Sequence, residues 1–188
     1  MLPATALADR IGKQNDVIIP YNVVEGGYNV TEVPVVPVYC FYSAYMRDYM
    51  WTASEDERQQ LEYNYYSGKE TYQYQGVSGY AELTPSDQNI PVYRFWNKKT
   101  TDHFYTTSEN EKNQLARDLE TGKDDYVYEG IAWYVPKGSS CPVYRFFDTA
   151  AFNHFYTNDE QLKDSLSQSY LNGTGTYRYE GIAWYWYN

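Results

Sequence analysis

The sequence predicts a mainly β protein with three short helices, arranged about a pseudo-threefold axis. The prediction rests on one unit of about fifty residues that occurs three times, in register and without an internal gap. Each copy has Pro-Val-Tyr at its start, a threonine fifteen residues after that proline, and a Tyr-x-Tyr-x-Gly element whose second tyrosine lies thirty-seven residues after it. The copies span residues 37–90, 91–141 and 142–188 and form one domain, preceded by an extended N-terminal arm of residues 1–36.

Copy two shows the order of the elements within one unit. Residues 91–96 alternate aromatic and non-aromatic side chains, which is typical of a strand. Residues 97–102 have the composition of a turn, and residues 103–106 form a second short strand. Ser108-x-x-Glu111 is a capping box, in which the serine and glutamate side chains both accept backbone N–H groups at the start of a helix.

A short helix follows the second strand in every copy, and we expect the three helices to start near Glu55, Glu109 and Glu160. Each helix carries two apolar side chains four residues apart, which lie on one face and can dock the helix on a sheet. The pairs are Leu61/Tyr65, Leu115/Leu119 and Leu166/Tyr170. A glycine then ends each helix, at Gly68, Gly122 and Gly173.

The last part of each copy predicts two further strands that meet at the glycine of the Tyr-x-Tyr-x-Gly element. In copy two they are residues 126–128 and 131–134, on either side of Gly130. Four strands in each of three copies make twelve strands, which suits a β-trefoil, although a three-bladed propeller or a β-prism has the same threefold symmetry. The N-terminal arm is expected to act as an edge strand or clasp that helps to close the ring.

The composition excludes several classes of function. The net charge is −10 and the isoelectric point is near 4.6, so the protein repels nucleic-acid phosphates and anionic lipids. No run of eighteen apolar residues is present to span a bilayer, and we expect no membrane insertion. The N-terminus lacks the basic start and the apolar core of a signal peptide. We therefore expect either a cytoplasmic protein or a secreted or cell-surface protein whose chain begins after its signal.

Comparison of the copies exposes a linked substitution. An arginine on the first strand occurs together with a glutamate before the conserved glycine: Arg94 with Glu129, and Arg145 with Glu180. Copy one has Cys40 and Gln75 at these positions. The joint loss of both charges predicts an ion pair between the first and third strands of the unit. The ion pair either stabilises the fold of the unit or belongs to a polar recognition site.

Copy one also lacks the histidine and the tryptophan of the other copies. His103 and His154 correspond to Tyr49, whereas Trp133 and Trp184 correspond to Gly79. A single histidine in each of copies two and three, without a nearby cysteine or second histidine, does not form a metal site, so we expect no metal and no cofactor. Each histidine either stabilises the chain through a hydrogen bond or contacts a ligand.

A sugar ring could bind around the two histidines. The polar residues that precede them at turn positions can accept hydrogen bonds from sugar hydroxyls, and nearby tyrosine and tryptophan rings could offer an apolar face. The candidate ligand-binding residues are therefore Asp102, His103, Tyr105, Trp133, Asn153, His154, Tyr156 and Trp184. The 24 tyrosines of the chain suit an aromatic-rich core equally well.

The elements Pro-Val-Tyr-Arg-Phe, Asp-His-Phe-Tyr-Thr-Thr-Ser-Glu and Tyr-x-Tyr-Glu-Gly-Ile-Ala-Trp-Tyr resemble a family of tandem repeats of uncharacterised function. Such repeats occur in secreted bacterial and fungal proteins, often beside cell-wall or polysaccharide hydrolases. The resemblance covers residues 37–188 and is weakest in copy one. It implies an extracellular, non-catalytic module that binds carbohydrate.

Two classes of function follow from the sequence. The first is a lectin-like module that binds a neutral or weakly basic glycan through copies two and three, and the second is a protein-interaction or inhibitor scaffold. Exposure of Trp133 and Trp184 beside the histidines would favour the first, and burial of all four would favour the second. An enzyme is not expected, because the sequence lacks the common nucleophile, phosphate-binding and metalloprotease motifs. The two cysteines, Cys40 and Cys141, are expected not to form a disulfide.

Overall fold

The computed structural model describes residues 34–187. The prediction that the N-terminal arm adds an edge strand or clasp falls almost wholly outside these residues. Within them each copy forms one antiparallel sheet of three strands, and the opening strand of the copy lies in the middle of its sheet.

The three copies repeat the same order of elements. Copy one contains β1 (Val36–Ser43), β2 (Asp48–Thr52), α1 (Glu55–Tyr66) and β3 (Gln73–Ala81). Copy two contains β4 (Asn89–Asn97), β5 (Asp102–Thr106), α2 (Glu109–Glu120) and β6 (Tyr126–Pro136). Copy three contains β7 (Cys141–Asp148), β8 (Asn153–Thr157), α3 (Glu160–Leu171) and β9 (Tyr177–Trp186). The strand orders are β2-β1-β3, β5-β4-β6 and β8-β7-β9, which confirms a mainly β, pseudo-threefold fold with three helices.

The prediction of twelve strands is wrong for the described residues, which contain nine. The two strands expected at the end of each copy are one strand with a β-bulge at its glycine. Gly76, Gly130 and Gly181 have φ values of 118°, 118° and 111°, and the pairing register shifts beside each of them. A bulge bends a strand without ending it. Residues 34–187 therefore form three separate sheets and no closed barrel, and the strand count that suggested a β-trefoil no longer holds.

The helices begin at Glu55, Glu109 and Glu160, as predicted. The N-cap side chains of α1 and α2 accept the backbone N–H of Glu57 and Glu111, as a capping box requires. The reciprocal bond is absent in both helices, because a threonine hydroxyl accepts the N-cap N–H instead, at 3.0 Å in copy one and 2.9 Å in copy two. Both glutamate side chains are thus available to other partners. None of the described helices is long and apolar enough to cross a bilayer.

Two tyrosine hydroxyls join the copies near the pseudo-threefold axis. The Tyr105 hydroxyl donates to the Trp51 carbonyl oxygen and accepts the Trp51 N–H, both at 2.8 Å. The Tyr156 hydroxyl makes the same two bonds, also at 2.8 Å, to the backbone of Tyr105. Each hydroxyl therefore holds the backbone of the preceding copy. Trp51 occupies the equivalent position in copy one and has no hydroxyl, so this clamp does not join copy three to copy one.

A tryptophan cluster fills the core beside this axis. Trp133 and Trp184 lie 6.0 Å apart between ring centroids, and Trp186 lies 6.0 Å from the first ring and 5.4 Å from the second. A Cβ atom at Gly79 would lie 2.4 Å from the Trp186 ring. Trp186 of copy three thus occupies the space left by the tryptophan that copy one lacks.

Replacement of Tyr105 by phenylalanine is expected to lower the free energy of unfolding by about 2–4 kcal/mol. The reason is that a buried N–H and a buried carbonyl oxygen of Trp51 would both lose their partner. Urea unfolding followed by tryptophan fluorescence measures the change. Tyr45→Phe is the control, since that side chain is 85% exposed and the substitution should change stability by less than ~0.5 kcal/mol. A Tyr105→Phe protein as stable as the wild type would contradict the clamp.

Candidate functional site

Buried aspartate–histidine pairs connect consecutive copies. Asp48 of copy one accepts the backbone N–H of His103 at 3.0 Å, and its carboxylate lies 2.6 Å from Nδ1 of the same histidine. Asp102 of copy two binds His154 of copy three in the same way, at 2.7 Å and 2.6 Å. Tyr126 also donates its hydroxyl to Asp102. The two histidines thus fix the contact between one copy and the next.

The pKa of Asp102 is lowered in the folded protein. Burial opposes ionisation of this carboxyl group, but the charge of His154 and the hydrogen bonds from His154 and Tyr126 outweigh that effect. Because the carboxylate is ionised, Nδ1 of His154 is the donor in their hydrogen bond.

The contact between copy three and copy one, here called the closing interface, has neither partner. Asn153 replaces the aspartate, and its amide donates to the Arg47 carbonyl oxygen at 2.5 Å. Tyr49 replaces the histidine, and its ring lies 5.3 Å from that of Phe155. Polar and aromatic contacts therefore replace the aspartate–histidine pair, and the ion pair between copies at this interface is a different one, between Arg47 and Asp148 at 3.4 Å.

The arginines also connect copies. Arg145 of copy three donates to both carboxylate oxygens of Glu111 in α2 of copy two, at 3.0 Å and 2.8 Å. Its Nε lies 3.0 Å from the carboxylate of Glu180 in its own copy, in an ion pair that is not aligned as a hydrogen bond. Burial opposes ionisation of Glu111, but the hydrogen bonds from Arg145 and Thr106 lower its pKa overall.

The arrangement repeats one copy earlier. Arg94 donates to both oxygens of Glu57 in α1, at 2.9 Å and 3.1 Å, and its Nε lies 2.9 Å from Glu129. Each arginine thus has the partner expected from the sequence and a second, bidentate partner in the preceding copy. The bidentate geometry makes the contact between copies the stronger of the two.

Sequence reasoning did not identify Glu57 and Glu111 as arginine partners, because the capping box assigned them to the helix ends. A signal was present in the pattern of losses. Copy three has Leu162 at the equivalent position, and copy one has Cys40 in place of the arginine. If the glutamate of one copy binds the arginine of the next, the contact from copy three back to copy one would need a glutamate at position 162 and an arginine at position 40. Both residues are missing, which is the pattern that a contact between copies predicts.

A cleft of about 420 Å³ opens between copies two and three beside this network. Three phenylalanine rings and several polar side chains line it: Phe104, Phe147, Phe152, Asn97, Gln114, Asp124, Arg145, His154, Arg178 and Glu180. The Phe104 ring lies 4.7 Å from the His154 ring and 5.1 Å from the Arg145 guanidinium. The floor of the cleft is therefore held in place by contacts from both copies.

The rim of the cleft is more exposed than its floor. Phe152 lies in a turn with φ of 59°, and its side chain is 59% exposed, with its ring 6.3 Å from that of Phe147. Arg178 lies over the Phe147 ring at 5.3 Å and donates to Glu180 at 2.9 Å. Copies one and two have Gln73 and Val127 in place of this arginine. The rim thus combines two features specific to copy three, an exposed aromatic ring and a positioned guanidinium.

The structure places the candidate ligand-binding residues in three environments. His154 lines the cleft, and Tyr156 and Trp184 line a separate cavity at the closing interface. Trp133 and Trp184 are 1% and 2% exposed, and neither ring lines the cleft. The remaining side chains are buried, in the contacts between copies or in the core: Asp102, His103, Tyr105 and Asn153. Within residues 34–187 no group of three or more His, Cys, Asp and Glu side chains is placed to hold a metal ion.

Asp102→Asn is expected to lower the free energy of unfolding by about 3 kcal/mol at neutral pH, because it leaves His154 without its buried carboxylate. The pKa of Asp102 is lower in the folded state than in the unfolded state, so its contribution is complete above about pH 5 and is lost as the pH falls through the folded pKa. The stability difference between wild type and variant should therefore shrink below about pH 4.

Chemical unfolding at several pH values measures this difference. Asp125→Asn is the matched control, because that carboxylate is exposed and lies 3.6 Å from Lys99. A difference for Asp102→Asn that stayed constant from pH 7 to pH 3 would contradict the buried pair.

Comparison with known protein families agrees with a repeat protein of uncharacterised function. Two overlapping matches to one family model, described as a domain of unknown function (DUF5648), cover residues 13–120 and 116–188. No curated protein and no solved structure matches the chain. Because the two family matches together cover far more than half of the sequence, the chain belongs to the DUF5648 family.

Proposed function

We propose that the protein is a non-catalytic carbohydrate-binding module that holds a sugar in the cleft between copies two and three. The observation that carries this proposal is the combination of aromatic rings and fixed polar side chains in a cleft of about 420 Å³. Binding sites for small ligands typically combine apolar walls with a few positioned polar groups. The two copies that form the cleft are those in which the sequence suggested a binding site.

The aromatic rings supply the apolar surface that a sugar ring needs. Phe152 exposes most of its side chain to solvent at the rim, next to Phe147. An exposed phenylalanine stabilises the fold little, and its ring is available to pack on the C–H face of a pyranose. Copies one and two have Arg47 and Thr101 at the equivalent turn position, with φ of 58° and 57°. The backbone shape therefore belongs to the turn, and only the ring is particular to copy three.

The polar side chains supply hydrogen bonds to hydroxyl groups. Asp124 offers a carboxylate oxygen, and Arg178 and Gln114 offer N–H donors at the same opening. The arginine is held by Glu180 and by the Phe147 ring, so little conformational entropy is lost when it meets a ligand. A net charge of −10 disfavours sulfated or phosphorylated polysaccharides, which leaves neutral or weakly basic glycans.

The carboxylates of the cleft support binding rather than catalysis. Glycoside hydrolysis needs one carboxylic acid with a raised pKa to protonate the leaving group. Glu111 has a lowered pKa because Arg145 and Thr106 bind its oxygens, even though burial acts in the opposite direction. Glu180 is held by two arginines and is therefore a structural acceptor at this site.

A protein-interaction scaffold is the second candidate function. The sequence criterion for this function is burial of all four side chains, and it is met by Trp133, Trp184 and His103, whereas His154 lines the cleft. A second observation agrees, since the residue after each bulge is an exposed aliphatic side chain, namely Val77, Ile131 and Ile182. Three equivalent apolar residues on one repeat protein suit weak, multivalent contact with a protein partner.

Phe152→Ala and Arg178→Ala are each expected to weaken glycan binding about tenfold or more while the melting temperature stays within about 2 °C of the wild type. Both side chains lie at the rim and contribute little to the core, so their removal should lower the affinity without lowering the stability of the fold. A glycan array identifies the ligand, and calorimetric titration of the wild type and variants with that ligand measures affinity.

The control is Tyr45→Ala, which removes an exposed aromatic ring from the corresponding turn of copy one and should leave affinity unchanged. A blank array with folded protein, or equal affinity of Phe152→Ala and wild type, would remove the glycan proposal and favour the scaffold.

A further inference from the structure

A second cavity lies at the closing interface and is separate from the cleft. Its volume is about 220 Å³, and six aromatic rings line it: Tyr49, Trp51, Phe155, Tyr156, Trp184 and Trp186. Cys40 and Ser78 of copy one add a thiol and a hydroxyl. The residues that line it include no charged side chain.

The cavity lies where the other copies have an arginine. Cys40 is equivalent to Arg145, whose guanidinium lies 5.1 Å over the Phe104 ring of the preceding copy. At the closing interface Phe155 is the equivalent ring, and it lines the cavity. The aromatic partner of a cation is thus retained where the cation itself has been lost.

The carboxylates that accompany each arginine are also missing here. Leu162 replaces the glutamate of the preceding copy, and Gln75 replaces the glutamate of the same copy. Burial raises the pKa of Cys40 and of Tyr49 to about 12, so both groups stay neutral and provide no anion. A cation in this cavity would therefore be stabilised by aromatic rings and not by an ion pair.

The rings enclose the cavity with walls at different angles. Trp51 is stacked on Tyr49 with 22° between their planes and is nearly perpendicular to Tyr156, at 84°. Trp184 is tilted 33° from Tyr156 and 75° from Trp186. The cavity is thus lined by rings in several orientations, and aromatic cages of this kind bind quaternary ammonium groups.

One polar atom at this cavity also lacks a partner. The Trp184 side chain is 2% exposed, and its indole Nε1–H has no acceptor among the described residues. By contrast, the Trp51 indole donates to Ser78 at 3.1 Å. Among the described residues the indole Nε1–H of the equivalent Trp133 also has no acceptor, although that residue does not line the cavity, so this unpaired donor is common to copies two and three.

We propose that this cavity is a binding site for a small methylated ammonium group, such as that of choline. A quaternary ammonium is weakly hydrated, so it enters an uncharged aromatic cavity at lower cost than guanidinium or a primary ammonium. The proposal is independent of the carbohydrate site, because the cavity and the cleft lie at different interfaces and share no residue.

Titration of the wild-type protein with choline, at constant ionic strength set by sodium chloride, tests the proposal. Binding is followed by tryptophan fluorescence, since three tryptophans line the cavity. Saturable binding is expected, with choline at least about fivefold tighter than 3,3-dimethylbutan-1-ol, which has the same shape without the charge. Equal affinities for the two compounds, or a linear response to choline, would overturn the proposal.

Two variants locate the site. Cys40→Met fills the cavity with an uncharged side chain, and Cys40→Arg with Leu162→Glu and Gln75→Glu restores the charged set of the other copies. Each is expected to abolish choline binding, and unchanged binding to a folded variant would overturn the assignment. Titration with trimethyllysine distinguishes two sources of the methylated ammonium group. Tighter binding of trimethyllysine than of choline indicates a modified peptide, and weaker binding indicates a free small ion.

Discussion

The fold depends on contacts that each copy makes with the one before it. At both regular interfaces a tyrosine hydroxyl binds both backbone groups of one residue, an aspartate binds a histidine, and an arginine binds a glutamate in the first turn of a helix. These groups are largely buried, and a buried charge is tolerated only when it has a partner with good geometry. The three sheets share only sparse backbone pairing, such as the single bridge between Glu82 and Tyr134, so side chains fix their relative positions.

The closing interface shows what happens when those contacts are lost together. Leu162 and Asn153 of copy three replace the glutamate and the aspartate, Cys40 and Tyr49 of copy one replace the arginine and the histidine, and Trp51 replaces the clamp tyrosine. One ion pair remains across this interface, between Arg47 and Asp148. Trp186 fills part of the space against Gly79, and the rest remains as an aromatic cavity. The sequence differences of copy one thus create an aromatic cavity at its contact with copy three. The proposed glycan cleft and the proposed ammonium cavity both lie at contacts between copies, because that is where the copies differ.

The elements were largely predictable from local patterns, whereas the site was not. The helices could be placed at Glu55, Glu109 and Glu160 because capping residues act within one turn of chain. The sequence predicts breaks between strands at Gly76, Gly130 and Gly181, where the structure has bulges, because a glycine in an extended segment fits both. Burial of Trp133 and Trp184 depends on how three sheets pack, which the pattern within one copy does not contain. The cleft could not be predicted because Phe152 and Arg178 have no counterparts in the other copies.

A double-mutant cycle on Glu111 and Arg145 tests the central claim that contacts between copies hold the ring together. Glu111→Gln, Arg145→Met and the double variant are compared by urea unfolding, and we expect a coupling free energy of about 2 kcal/mol. The equivalent cycle at the closing interface, with Leu162→Ala and Cys40→Ala, should give less than about 0.5 kcal/mol. Coupling near zero for Glu111 and Arg145, or equal coupling in both cycles, would contradict the account.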